Sequence, residues 1–366
     1  MFPNLRSSRQ LLAVAVAIAS VACSAPAQKR EPLTLATPAN ALSFLVIGDW
    51  GQRASANQQR VARQMGPVAA ALGAAFVVST GDNFYPDGVR NVNDAHFRST
   101  FENVYSAPSL MVDWYVVLGN HDYHGNPQAE VEYSAKSTRW KMPARYYAVT
   151  KPVAPGVTAD FIFIDTSPLV ADFDGQPFRW PGFRTDTVAQ RVWLDSTLKA
   201  STAQWKFIVG HHHVYSGGVR GTQNFMEFFL VPRMEQYGVN AYICGHEHHI
   251  EHIAPLGSTI HYFISGAGSE ARSAPGREGS RFVSTALGFL AMSLTADTMV
   301  VQAVDLFGKV HYRTSIPRVN GLDPHGAAPL PAGSGAAPRP APLASARATP
   351  PRSRTSVPRA PRAASR

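Results

Sequence analysis

The chain has 366 residues, 45% hydrophobic and 16% charged, with 28 glycines and 28 prolines, which excludes a wholly disordered chain, a coiled coil and a small disulfide-stapled scaffold. Its formal charge of +9 sits at the ends: residues 1–30 carry +4 and residues 321–366 carry +6, which leaves −1 for 31–320. The basic balance therefore gives little ground for nucleic-acid binding by the folded part, and outside the first 25 residues no apolar run reaches membrane-spanning length.

Residues 1–27 read as an export signal. Arg6 and Arg9 precede an apolar run over 11–22, and small residues follow. Two processing sites compete. Ala25-Pro26-Ala27 fits cleavage after Ala27, whereas Val21-Ala22-Cys23 resembles a bacterial lipobox in which Cys23 would carry lipid. The protein is expected to be exported, to the periplasm or the medium, or held at a membrane through Cys23. Residues 28–41 read as a linker. Cys23 and Cys244 are the only cysteines, so the mature body can form no internal disulfide.

From residue 42 onward short apolar runs alternate with helical patterns. The runs at 43–47, 76–79, 114–118, 160–164, 205–209 and 241–244 are rich in β-branched and aromatic residues and predict buried strands. Helical patterns lie near 55–72, 128–140, 187–199 and 223–237. Such alternation predicts parallel strands joined by helical crossovers. After Ile260 the runs at 261–264, 289–292, 299–301 and 310–312 have no helices between them and predict antiparallel strands. The whole predicts one α/β domain over 42–318, two packed sheets with helices outside. Residues 319–366 read as a disordered basic tail rich in Pro, Ala and Arg: ten prolines fall in the last 46 residues, with no aromatic side chain to bury.

Five of the predicted strands end in the same way. A glycine is followed by polar residues of the metal-ligating kind: Asp49 after Gly48, Asp82 and Tyr85 after Gly81, Asn120-His121-Asp122 after Gly119, His211-His212-His213 after Gly210, and His246-Glu247-His248-His249 after Gly245. In open α/β sheets ligands bind beyond the carboxyl ends of the strands. Aspartate, phenolate and imidazole together supply hard and borderline ligands, and seven of them serve two ions if one carboxylate bridges. Two ions about 3.5–4 Å apart suit phosphoryl hydrolysis, since they acidify water and neutralise the phosphate oxygens.

In this order the blocks resemble those of the purple acid phosphatases, in particular the small tartrate-resistant type, within the metallophosphoesterase (calcineurin-like) superfamily. The likeness covers roughly 43–270 and takes in 81–85, Asn93-Asp94 with Phe97, 114–122, Ser134 with Arg139-Trp140, and 265–268. It implies a four-layer α/β/β/α sandwich with two mixed sheets flanked by helices. It also implies an exported acid phosphatase that cleaves phosphate monoesters by in-line attack of a metal-bound hydroxide. A phosphodiesterase or nucleotidase on the same scaffold is one alternative, and a non-catalytic phosphate- or metal-binding module is another.

By motif position the resemblance assigns Asp49, Tyr85 and His248 to Fe(III). It assigns Asn120, His211 and His246 to a second, divalent ion (Fe, Zn or Mn), and Asp82 to the bridge. His121 would orient the phosphate or protonate the leaving oxygen, with Asp122 holding its imidazole. Gly51 stands where ordinary members of the superfamily have the histidine of Asp-x-His, and Tyr85 stands where they have no tyrosine, so one ligand exchanges for another. A phenolate favours ferric iron and gives a charge-transfer colour. The run 211–213 offers three histidines, of which His211 directly follows Gly210 as the motif requires. The family often carries a further active-site histidine in the loop that here reads 216–221; Arg220 falls near that place and is a candidate phosphate contact. The plant-type N-terminal β domain has no room in the roughly 15 residues between signal and first strand. A monomer acting on a small phosphate ester is expected.

Overall fold

Strand β1 (Leu42–Ile47) is buried along almost its whole length, as expected of a strand covered on both faces. In the computed structural model, which describes residues 34–173 and 187–318, it lies at the middle of the first of two sheets. The readings of 1–27 as an export signal and 319–366 as a tail lie outside the described residues. The first sheet runs β14 (Val310–Pro317), β13 (Thr298–Asp305), β12 (Gly288–Leu294), β1, β2 (Phe76–Ser79), β3 (Asp113–Val116), β4 (Trp140–Lys141). The second runs β11 (Ser280–Ser284), β9 (Ile250–Ile253), β10 (His261–Ser265), β8 (Ala241–Cys244), β7 (Trp205–Val209), β6 (Val157–Phe163), β5 (Tyr147–Ala154). Both sheets mix parallel and antiparallel pairs.

The sheets pack face to face. Phe44 of β1 stacks on Phe76 of β2 with ring centroids 4.9 Å apart, and Phe161 of β6 meets both edge-on at 5.2 Å. Helix α1 (Ala56–Leu72) covers the outer face of the first sheet with Val61, Met65 and Val68. It starts where Ser55 Oγ accepts the Gln58 amide at 3.3 Å and ends at Gly73 in the left-handed region. Helices α3 (Thr166–Phe173), α4 (Thr187–Ala200) and α5 (Asn224–Gln236) cover the outer face of the second. There Leu194, Leu198, Leu230 and Met234 pack on Ile162, Ile208 and Tyr242. The result is four layers, α/β/β/α. Cys244 is buried and free. Among the described residues no helix is long and apolar enough to cross a membrane.

The structure departs from the sequence reading at several elements. The helical pattern at 128–140 stops early: α2 spans Pro127–Tyr133. Beyond it Ser134 and Ser137 take backbone amides on their hydroxyls, Met142 N at 2.8 Å and Trp140 N at 3.3 Å, which competes with helix continuation. Strand β10, expected to be antiparallel, is parallel to β8 and antiparallel to β9. Strands β4, β5, β9 and β11 and helix α3 are additional elements. β5 is an edge strand carrying Lys151 and Pro152, a composition that hides it from a search for apolar runs.

What matters for function is register. β1, β2 and β3 run parallel with Ile47 opposite Ser79 and Ser79 opposite Val116. β7 and β8 run parallel with Val209 opposite Ile243. Their carboxyl ends therefore share one rim.

Candidate metal centre

At that rim the first sheet delivers Asp49, Asp82, Tyr85 and Asn120, and the second delivers His211, His246 and His248. Asp49, Asp82 and His246 have φ of 56°, 52° and 68°. This left-handed conformation is uncommon for residues with a Cβ and is concentrated at functional sites.

The side chains form two groups that meet at Asp82. In one, Tyr85 Oη lies 2.7 Å from Asp82 Oδ2, 3.1 Å from Asp49 Oδ1 and 3.2 Å from His248 Nε2. Asp49, Asp82 and His248 each offer a ligand atom within 4.8 Å of the others. In the second, His211 Nε2 lies 3.1 Å from both Asn120 Oδ1 and His246 Nδ1, and 3.5 Å from Asp82 Oδ1. Asp82 thus turns one oxygen to each group.

The electrostatics call for cations. Burial and the charges of Asp49 and Asp82 push the Tyr85 phenol far above its ordinary range, so a phenolate can exist here only beside compensating positive charge. His211 Nδ1 lies 2.9 Å from the Thr80 carbonyl, which only accepts. In the neutral ring the proton therefore sits on Nδ1, and the Nε2 lone pair faces the Asn120 oxygen. Burial lowers the His211 pKa, but the charges of Asp82, Asp49 and Asp122 and the Thr80 carbonyl raise it, and the net shift is upward. Carboxylate, phenol, imidazole and amide oxygen converging in this way fit a pair of metal ions.

His121 lies beside the first group. Its Nδ1 is 2.8 Å from the Pro86 carbonyl, its ring centroid is 4.4 Å from that of Tyr85, and its backbone N–H donates to Asp82 Oδ1 at 2.8 Å. Since Pro86 O only accepts, Nδ1 donates, and Nε2 has no hydrogen-bond partner among the described residues.

Asp122 does not hold this imidazole, contrary to the sequence reading. Its buried carboxylate accepts from Gly119 N at 2.8 Å, Phe84 N at 2.9 Å, and Asn83 N and Nδ2 at 3.1 Å each. It ties the loop after β2 to the loop after β3, and burial with the nearby Asp82 charge raises its pKa to about 7. Arg220, the candidate phosphate contact, pairs with an acid and is partly open to solvent. Its Nη1 lies 2.7 Å from Oε1 of Glu247, the buried acid between His246 and His248.

Of the three consecutive histidines, His211 turns to the centre. The Oγ1 of Thr166 meets His212 Nδ1 at 2.9 Å and takes the amides of His211 and His212 at 3.3 and 3.0 Å. The His213 ring stacks on that of His246 with centroids 5.8 Å apart. Thr166 was missed in the sequence: it follows the run at 160–164, but no glycine precedes Asp165-Thr166, so the pattern that marks the other five strand ends does not mark this one. Asn83 was missed too. It accepts from Ser79 Oγ at 2.6 Å and donates to Val117 O at 2.9 Å and Glu130 Oε2 at 3.0 Å, a buried network beneath the centre.

Known proteins resemble this chain. The calcineurin-like phosphoesterase family matches residues 42–249. Purple acid phosphatase 3 of Arabidopsis thaliana is 36% identical over 301 residues, 78% of this chain and 81% of that protein. Tartrate-resistant acid phosphatase type 5 of Homo sapiens is 33% identical over 309 residues, 77% of this chain and 92% of that protein. Among solved structures, GAP50, the anchor in the inner membrane complex of Plasmodium, superposes with a TM-score of 0.65 at 26% identity, covering 76% of this chain and 89% of that one.

Proposed function

The chain belongs to the purple acid phosphatases of the calcineurin-like phosphoesterase family, and from that premise we propose an exported acid phosphatase that cleaves phosphate monoesters at a centre of ferric iron and a second divalent ion. The observation that carries this reading is Asp82, with Oδ2 toward Tyr85 and Oδ1 toward His211. Asp49, Tyr85 and His248 would hold the iron, and Asn120, His211 and His246 the divalent ion, with Asp82 common to both. When bound, such a pair supplies acidified water and positive charge against the phosphate oxygens.

The chain's own groups do the rest. His121 is anchored at Nδ1, and Nε2 is the atom from which a protonated imidazole gives a proton to the leaving oxygen. Asp122 fixes the spacing between the loops that carry Asp82 and Asn120. Thr166 sets the angle at which His211 enters. Export is supported by the signal pattern at 1–27.

An anchor protein shares the fold, so the fold alone does not decide catalysis. Steady-state kinetics of the metal-loaded protein near pH 5 decide it. We expect p-nitrophenyl phosphate to be cleaved with a higher kcat/KM than bis(p-nitrophenyl) phosphate. A preference for the diester would make the protein a phosphodiesterase, and no turnover of either by protein holding both ions would make it a binding module.

A further inference from the structure

Between the histidines of the last block lies Glu247, 3% exposed. Its one side-chain partner among the described residues is Arg220, which is itself partly open to solvent. The loop that carries Arg220 is pressed onto acids. A Cβ at Gly218 would lie 2.1 Å from Glu247 Oε2, and one at Gly217 would lie 2.6 Å from Glu251 Oε1. Gly217 N donates to Glu251 Oε2 at 2.8 Å, and the same oxygen lies 2.8 Å from His249 Nε2. Ser280 Oγ donates to Glu251 Oε1 at 2.5 Å, and Gly276 N to Gly217 O at 3.1 Å. The two glycines in a row thus have a reason: they let the loop lie flat against Glu247 and Glu251, one at either end of the segment that follows His246.

We propose that Arg220 is a positioning residue, not a phosphate contact: through Glu247 it latches loop 216–221 to the turn bearing His246 and His248, and so sets how firmly the divalent ion is kept. The inference rests on the two-ion reading above. Without Arg220 the Glu247 carboxylate is left buried and unpaired, and the turn must open to hydrate it. His246 moves with the turn. Groups that orient metal ligands in this way change metal affinity by about 10–100-fold when removed. Lysine at 220 keeps the charge but loses the planar fork, so it should restore only part of the effect.

The test compares Arg220→Ala, Arg220→Lys, Glu247→Gln and the double variant Arg220→Ala/Glu247→Gln with the wild-type protein. Loss of the divalent ion to a chelator is followed by metal analysis, and inhibition of the fully loaded enzyme is measured with inorganic phosphate. We expect each single removal to weaken retention of the divalent ion about 10-fold, the double variant to be no worse than either, and lysine to fall between. The phosphate inhibition constant should stay near the wild-type value. Gly218→Ala is the second probe: it keeps Arg220 but drives a methyl group into Glu247, and should loosen the same ion.

Wild-type retention in all variants overturns the latch. So does a tenfold weaker phosphate inhibition at unchanged metal retention, which would make Arg220 a substrate contact. A wild-type protein that holds no second ion overturns the two-ion reading itself, and is told apart from failure of the latch by the wild-type control.

Discussion

Gly51 lies so close to the backbone of Asn83 that a Cβ at position 51 would stand 1.8 Å from the Asn83 carbonyl oxygen and 2.7 Å from the Phe84 amide nitrogen. Gly51 O in turn accepts the Tyr85 amide at 3.0 Å. The loops that carry Asp49 and Asp82 therefore meet with no side chain between them, and the position that holds a histidine in ordinary members of the superfamily has no space for one here. Tyr85 reaches in from the neighbouring loop toward Asp49 and Asp82. Gly51→Ala should force the two loops apart, with a stability loss of about 1–3 kcal/mol as for other overpacked sites and a lower metal content. Thermal unfolding and metal analysis check this; a variant as stable and as metal-rich as wild type would contradict it.

Asp82→Asn removes the charge shared by the two groups while keeping the shape. The amide can still accept from His121 N through its oxygen, which now meets Asp82 Oδ1 at 2.8 Å. The expected result is a folded protein that no longer retains both ions on gel filtration. Metal content equal to wild type would mean that Asp82 does not bridge.

His121→Ala should lower kcat by about 10²–10⁴-fold, the range of a lost general acid. Metal content and colour should be unchanged, because the imidazole bonds the Pro86 carbonyl and not a candidate ligand, and the backbone N–H given to Asp82 survives in alanine. A variant with wild-type kcat, or one that loses metal, would remove His121 from proton transfer.

Much of this centre was legible from residue order, because parallel strands in register must bring their carboxyl ends to one rim, and glycine followed by a ligating residue marked five of those ends. The part that was not legible lies in side-chain direction. Asp122 follows His121 in sequence, but its carboxylate turns inward to four N–H groups while the imidazole turns out to Pro86. Arg220 lies in the expected loop, yet its partner Glu247 is 27 positions away. β9, with Glu251 and His252 in a buried strand, carries no apolar run to betray it. Its polar groups are buried because other chain segments satisfy them, and those segments are distant in sequence.

His252 and His261 set a pH dependence of stability. His252 Nδ1 is 2.7 Å from Tyr312 Oη on β14, and its Nε2 is 2.9 Å from His261 Nδ1, so the pair joins the two sheets. Burial, with the charges of His261 and Arg281, lowers the His252 pKa to about 3, and burial with Arg281 lowers that of His261 to about 4. In the unfolded chain both titrate near 6.5. Between those values the unfolded state binds more protons, so stability is full above pH 6.5 and falls as the pH drops toward 3–4. His252→Gln should flatten this decline by on the order of 1 kcal/mol, about 2–4 °C in Tm between pH 6.5 and 4. An unchanged slope of Tm against pH would show that the pair does not titrate in that window.

The central claim is a phenol oxygen on ferric iron beside a second ion, and the visible spectrum of the purified protein with its metal analysis tests it most directly. A coloured protein holding iron and one further metal ion is expected, with a visible band that disappears in Tyr85→Phe while the fold persists. A colourless, iron-free preparation that cleaves phosphate monoesters at full rate would contradict it.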